Sequence, residues 1–185
     1  MTHRHPVNTF IEIGCLEFHP NQRRRFGEGE LRRQWFEQFP QLFDHDDLGR
    51  ASNRTRPYFF YEWLAAIVLH QSTGFLALVT RYQTDARKRA LLPDILPPEV
   101  LSVLEDRTRW GKTQGPDLLM YAPDYSDWFF CECKGPGDIL SDRQRGNFDD
   151  LVVAAQKPIR MLRFQSTKRP SPNQPMQPTA VRSDA

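Results

Sequence analysis

The chain has 185 residues, 39% of them hydrophobic and 26% charged, which is typical of one globular domain with tails. Its formal net charge of only +2 excludes a protein that coats nucleic acid through bulk charge. No run of eighteen apolar residues and no apolar leader is present, which predicts no membrane partner and a cytoplasmic location. The cysteines Cys15, Cys131 and Cys133 lack Cys-x-x-Cys spacing, which argues against structural zinc. The last two are expected to be small buried side chains.

Residues 1–55 are predicted to form an N-terminal extension with an amphipathic helix. Four apolar side chains there have helical spacing, with Pro40 as the expected helix stop: Leu31, Trp35, Phe39 and Leu42. A basic run, Arg23–Arg25, precedes this helix. The apolar stripe either packs on the core of the protein or serves as a contact for a second copy, a protein partner or DNA.

A second helix is predicted from Pro57 to Gln71, because a proline near its start and Gly74 beyond its end fit the usual asymmetry of helix termini. The apolar run from Phe75 to Thr80 then predicts a strand. Since such continuous runs are typical of strands buried on both faces, a central place in the sheet is expected.

Two basic clusters follow this strand, and both are candidates for contact with DNA. The residues concerned are Arg81, Arg87, Lys88, Arg89, Arg109 and Lys112, with Trp110 inside the second cluster. Arginine beside an aromatic residue suits a phosphate backbone or a stacked base. An ordinary solvated helix and loop would explain the same residues equally well.

The strongest functional signal lies in two short apolar runs joined by polar turn residues. Leu118–Tyr121 and Trp128–Lys134 predict two strands, and the short turn between them predicts an antiparallel hairpin. Such a hairpin can bring Asp117 near Glu132. Two carboxylates that converge attract a hard divalent cation such as Mg²⁺ or Mn²⁺.

The second of these strands has an unusual face. Because side chains alternate along a strand, Glu132 and Lys134 share one face with Trp128 and Phe130. Charges on an otherwise aromatic face need partners, and a metal with a phosphate would be suitable ones. Judged singly, Glu132 and Lys134 also fit a solvated strand face, and Asp117 fits a turn.

Beyond this strand the sequence predicts a helix and a last strand. Ser141 is a natural N-cap with Gln144 at the third helical position, a capping box. Ile159–Phe164 predicts a strand, which gives a strand-helix-strand unit with a right-handed crossover. Residues 165–185 contain four prolines and few apolar side chains, and they predict a disordered tail.

Pro116-Asp117 followed by Glu132-Cys133-Lys134 resembles the PD-(D/E)xK nuclease signature. The string CECKGPGDILSDRQ, residues 131–144, resembles the VRR-NUC branch of that superfamily in particular. The resemblance covers residues 115–164 well and 57–113 loosely. It implies an α/β protein with a restriction-endonuclease-like core, a mixed central sheet flanked by helices, and a nuclease domain over residues 56–164.

The resemblance also implies roles for single residues. Asp117, Glu132, Lys134 and Gln144 would be catalytic, and the backbone carbonyl of Cys133 would join the two carboxylates in binding the metal. Glu62, on the helix before the core strands, would be a further acidic ligand, with a solvated glutamate as the alternative. The alternative for Gln144 is a side chain folded back on the start of its own helix.

The expected activity is metal-dependent hydrolysis of DNA phosphodiester bonds, by endonuclease or exonuclease action. The resemblance points to branched or structured DNA in repair, replication or mobile-element processing, and a junction substrate would call for a homodimer. Two alternatives stay open. One is a DNA-binding module without catalysis, and the other is a nuclease subunit that is active only with a partner protein.

Overall fold

The computed structural model describes residues 8–52, 57–79, 81–109 and 115–167, with only the backbone of residues 107–109. The strands in these ranges are β1 (Phe10–Phe18), β2 (Leu76–Val79), β3 (Leu118–Tyr121), β4 (Trp128–Lys134) and β5 (Ile159–Ser166). The helices are α1 (Pro20–Gly27), α2 (Glu30–Gln38), α3 (His45–Ser52), α4 (Phe60–Thr73), α5 (Ala86–Ile95), α6 (Pro98–Arg109) and α7 (Asp142–Ala155). None of these helices is long and apolar enough to cross a membrane.

The strands form one mixed sheet in the order β1-β5-β4-β3-β2. β4 lies at its centre, parallel to β5 on one side and antiparallel to β3 on the other. β1 is parallel to β5, and β2 is antiparallel to β3. The predicted α/β class, mixed sheet and β3-β4 hairpin are therefore confirmed. The strand-helix-strand unit is also present, with α7 connecting β4 to the parallel β5.

Helices cover both faces of the sheet, so every residue of β4 is buried. Phe129, Cys131 and Cys133 join the core formed with α1, α2 and α4. Trp128 and Phe130 point to the other face and join the core formed with α5, α6 and α7. The alternation predicted for this strand is confirmed. It places Glu132 and Lys134 at the end of the face that carries Trp128 and Phe130.

β2 is an edge strand, so the prediction of a central position was wrong. Ala77 and Val79 are buried in the core on the α4 side, and Leu78 is buried in the core on the other side. The helices alone provide this burial on both faces. An unbroken apolar run therefore indicates that both faces of a strand are buried. It does not indicate whether the strand lies at the centre or at the edge of the sheet.

The N-terminal residues belong to the same fold as the rest of the chain. β1 pairs with β5, and Leu31 and Trp35 of α2 are buried in one core with Trp63 of α4. The predicted amphipathic helix is thus present, it ends before Pro40, and its apolar stripe is occupied within the chain. The predicted domain boundary at residue 55 falls between β1 and the other four strands of the same sheet.

The C-terminal boundary also differs from the prediction. β5 continues to Ser166, two residues beyond the predicted end of the last strand. The residue after β5 is also fixed, because the Thr167 N–H donates a hydrogen bond of 3.0 Å to the Phe18 carbonyl at the end of β1. Residues 168–185 of the predicted tail lie outside the described residues.

Candidate active site

The hairpin positions Asp117 beside the central strand. Its register pairs Leu118 with Cys131, which sets Asp117 next to Glu132, and Asp117 Oδ2 accepts a hydrogen bond of 2.8 Å from the Cys133 N–H. In a strand the N–H and C=O of one residue point to the same side. The Cys133 carbonyl therefore faces the same gap beyond the start of β3 as the Asp117 carboxylate.

Glu132 has one oxygen bound and the other without a partner. The side chain is buried, and its Oε1 lies 2.8 Å from the Lys134 Nζ and 3.0 Å from the Gln144 Nε2. Its Oε2 is buried and has no hydrogen-bond partner among the described residues. An unsatisfied buried acceptor costs roughly 1–3 kcal/mol or more when charged, so a ligand at this oxygen would stabilise the protein.

Gln144 belongs to the site and to a helix cap at once. Its Oε1 accepts from the Ser141 N–H at 3.2 Å and lies 3.4 Å from the Lys134 Nζ, while its Nε2 donates to Glu132. The Ser141 hydroxyl in turn accepts from the Gln144 N–H at 3.2 Å. The predicted capping box is confirmed, and the same Gln144 side chain also contacts Glu132 and Lys134.

Glu62 of α4 lies within the electrostatic reach of the same group. Its pKa is raised to about 7, first by burial and then by the charges of Glu132 and Asp138, against an opposing effect of Lys134. Burial, Glu132 and Glu62 raise the pKa of Asp117 well above its usual range. Burial also raises the pKa of Glu132, although Lys134 opposes it. The charge of Glu132 thus raises the pKa of both other carboxyl groups, and a bound cation would relieve this.

The donor atoms fit a hard cation. No group of three or more His, Cys, Asp or Glu side chains arranged to hold a metal occurs within the described parts of the chain. The free Glu132 Oε2, the Asp117 carboxylate and the Cys133 carbonyl are nevertheless oxygen donors of the type that Mg²⁺ and Mn²⁺ prefer. Magnesium usually keeps several waters and needs only one or two carboxylates, so an incomplete protein shell is compatible with it.

Tyr82 is a member of this site that the sequence did not indicate. Its hydroxyl donates a hydrogen bond of 2.9 Å to the Pro116 carbonyl, immediately before Asp117. Burial raises its pKa well above the usual range, and the nearby charges of Asp117 and Glu132 raise it further. A single tyrosine 34 positions before Pro116, in a segment without a motif, gave no signal by which to find it.

A DNA-binding lysine must be exposed to solvent, and Lys88 is not. Its side chain is buried, and its ammonium forms an ion pair with Asp47 and donates to the Val79 carbonyl at 2.6 Å. A buried and fully engaged ammonium excludes a contact with phosphate. The assignment of Lys88 to DNA was therefore wrong.

The other basic candidates differ in their surroundings. Arg81 and Arg87 are exposed, and the exposed Arg89 forms an ion pair of 3.2 Å with Glu105. The side chain of Arg109 and the whole of Lys112 lie outside the described residues. Two exposed arginines after β2 thus remain open to an anionic partner.

The structure brings together the residues that the sequence singled out in the hairpin and the following helix. Asp117, Glu132, Lys134 and Gln144 form one cluster, and Glu62 interacts with it electrostatically. Comparisons of the chain with models of protein families, with curated proteins and with solved structures found no match.

Proposed function

We propose that this protein is a metal-dependent nuclease that hydrolyses DNA phosphodiester bonds. The observation that carries the proposal is the buried Glu132 beside Asp117: its Oε2 has no hydrogen-bond partner within the described residues, and its other oxygen lies 2.8 Å from the Lys134 ammonium. Mg²⁺ or Mn²⁺ held by Asp117, Glu132 and the Cys133 carbonyl would supply a water of lowered pKa and neutralise phosphate charge.

Lys134 is the group of the chain that would act on the phosphate. Its ammonium has three N–H donors, of which one is directed to Glu132 and one to Gln144. The third has no acceptor among the described residues and could bind a water or a phosphate oxygen, where a fixed positive charge stabilises negative charge that develops in the transition state. Gln144 would position this ammonium, because its Oε1 lies 3.4 Å from the Lys134 Nζ and its Nε2 donates to the Glu132 oxygen that Lys134 also contacts.

The helix that carries Gln144 also favours an anion at this place. α7 begins at Asp142, directly after Ser141, and its first turn lies against the cluster through Gln144. The partial positive charge at the start of a helix stabilises phosphate. The resemblance to the VRR-NUC branch of the PD-(D/E)xK superfamily supports the same function, a restriction-endonuclease-like fold and branched or structured DNA as substrate.

The test is cleavage of labelled linear, flap and four-way-junction DNA in EDTA, Mg²⁺ or Mn²⁺. We expect cleavage to require the metal and to fall about 100-fold or more in Asp117→Asn and in Lys134→Ala, because each change removes a charge that the transition state needs. Lys157→Ala is the matched control, because this lysine is half exposed and bound to Asp127 at 2.7 Å.

Full activity in Lys134→Ala, or cleavage that persists in EDTA, would contradict the proposal. A wild-type protein that binds DNA but cuts none of these substrates would favour the binding module. Cleavage that begins only when a partner protein is added would favour the subunit alternative. Thermal melts establish that each variant is folded.

A further inference from the structure

A cleft of about 690 Å³ adjoins the candidate active site. Tyr61, which precedes Glu62, and Gly135, which follows Lys134, both line it. Its opposite wall comes from the end of β1 and from α1, including Arg23. The volume is in the range of pockets that hold ligands of nucleotide size, about 300–1,000 Å³.

Among the described residues that line this cleft, Arg23 is the cation without a carboxylate partner. Its neighbour Arg24 forms two hydrogen bonds with the Glu28 carboxylate, at 2.7 and 2.9 Å. Arg25 forms two with Glu30, at 2.6 and 3.0 Å. Within the part of the chain that the structure describes, Arg23 has no carboxylate partner. An anion in the cleft would therefore gain an unpaired guanidinium.

An aromatic ring lies beside this guanidinium. The Arg23 Cζ is 5.4 Å from the centre of the Tyr61 ring, a cation-π distance, and Tyr61 packs edge-on against Phe18, another lining residue. Proteins hold single-stranded nucleic acid by the same two means, since arginine binds the phosphate and an aromatic ring stacks on the base.

The acidic side chains of the cleft do not cancel this charge at Arg23. Glu28 is neutralised by Arg24. Asp138 accepts a hydrogen bond of 3.0 Å from the Gly135 N–H, at the end of the cleft next to Lys134. The lining is thus cationic at α1 and acidic only at the end nearest the candidate metal ligands.

We infer that this cleft binds a single-stranded segment of the DNA substrate next to the phosphate that is cleaved. Arg23 contacts a phosphate of that segment, and the Tyr61 ring contacts a base. The inference rests on the proposed nuclease function, and it adds a substrate-binding surface built by residues 18–28, far from the nuclease-like motif in sequence. A cleft of this size has room for one or two nucleotides and not for a double helix.

The test is binding of a fluorescent single-stranded oligonucleotide in EDTA over a range of salt concentrations, measured by anisotropy. We expect Arg23→Gln to weaken binding about fivefold or more and to reduce the slope of log K against log salt by about 0.7, one phosphate contact. Arg25→Gln is the control, because it removes one charge from the same helix outside the cleft; its binding should stay within about twofold. Tyr61→Phe keeps the ring and should bind like the wild type.

Equal binding by Arg23→Gln and Arg25→Gln, or an unchanged salt slope in Arg23→Gln, would overturn the inference. Cleavage assays in Mg²⁺ separate this failure from that of the proposed function. If the wild-type protein cleaves DNA and Arg23→Gln binds normally, only the cleft is refuted. If the wild-type protein neither binds nor cleaves, both proposals fail.

Discussion

The Gln144 side chain links helix stability to the candidate site. Its carbonyl oxygen completes the cap of α7, and its amide nitrogen holds Glu132. A change at this position therefore has two effects, and Ser141 offers a way to separate them. Ser141 contributes to the same cap but is not among the groups bonded to Glu132.

We expect Gln144→Leu to lower the cleavage rate about tenfold or more and Ser141→Ala to leave it within about threefold. Each variant loses a capping bond, which costs about 1 kcal/mol of unfolding free energy. Only Gln144→Leu removes the donor that orients Glu132. Single-turnover rates and thermal melts on both proteins decide this. Equal losses of rate would assign the effect to the helix cap alone.

Glu62 should make the stability of the metal-free protein depend on pH. Its pKa is about 7 in the folded protein and 4.5 without these surroundings, so folding favours the protonated form. Stability is therefore lost as the pH rises from about 4.5 to 7. We expect Glu62→Gln to remove part of this loss, with a gain of about 1–3 kcal/mol at pH 8 relative to pH 5. Urea denaturation of both proteins in EDTA measures the unfolding free energy as a function of pH. Parallel curves for Glu62→Gln and the wild type would refute this prediction.

At the scale of the elements, the turn after β4 is fitted against α4. A Cβ atom on Gly135 would lie 2.6 Å from Tyr61 Cε2 and 2.9 Å from Asp138 Oδ2, closer than such atoms approach in proteins. Only glycine lets the chain leave β4 this close to the Tyr61 ring. The packing of the turn therefore fixes the backbone that follows Lys134.

We expect Gly135→Ala to cost about 1–3 kcal/mol of stability and to reduce cleavage, because the ring or the turn must move. Gly146→Ala is the matched control. Gly146 lies within α7, and its added Cβ would have no neighbour within 4 Å, so alanine should stabilise the protein by about 0.5–1 kcal/mol. Thermal melts of both variants test this pair. A Gly135→Ala protein as stable as the wild type would contradict the packing argument.

The sequence predicted those elements whose structure is set locally. The hairpin of β3 and β4 follows from two apolar runs and a polar turn, and it placed Asp117 beside Glu132 correctly. The helix start at Ser141 follows from a capping box. The edge position of β2 and the bond from Tyr82 to Pro116 depend on tertiary packing, so no local pattern contained them.

At the scale of the whole molecule, a buried ion pair joins distant parts of the chain. The Lys88 ammonium of α5 is bound to Asp47 of α3 and to the Val79 carbonyl of β2. The two charged residues are 41 positions apart, and Lys88 stands in a basic run. The basic run therefore predicted an exposed Lys88, whereas tertiary packing buries it.

We expect Lys88→Met to cost about 3–5 kcal/mol at pH 8, because the buried Asp47 carboxylate loses the ammonium that lies against it. Burial raises the pKa of Asp47 to about 6, while Lys88 opposes the rise. Without Lys88 that pKa rises further, so the deficit relative to the wild type should shrink as the pH falls towards 6 and stay small below it, where both proteins hold the proton. Arg89→Met breaks only an exposed pair and should cost about 1 kcal/mol or less. Urea denaturation at pH 5 and pH 8 measures both; a Lys88→Met deficit that does not change with pH would contradict this account.

The pairing of the first strand with the last has a consequence for biosynthesis. Phe10 of β1 lies opposite Ile159 of β5, so β1 waits for a partner that the ribosome makes 149 residues later. At about 5–20 residues per second this takes roughly 7–30 s, whereas a hairpin such as β3-β4 closes in about 1–10 μs. The hairpin that carries the acidic pair can therefore close before β5 is made, whereas β1 stays an open strand edge until β5 has been made. Such an edge can pair with other chains, so the interval before β5 is made is the time at which this protein is most exposed to aggregation.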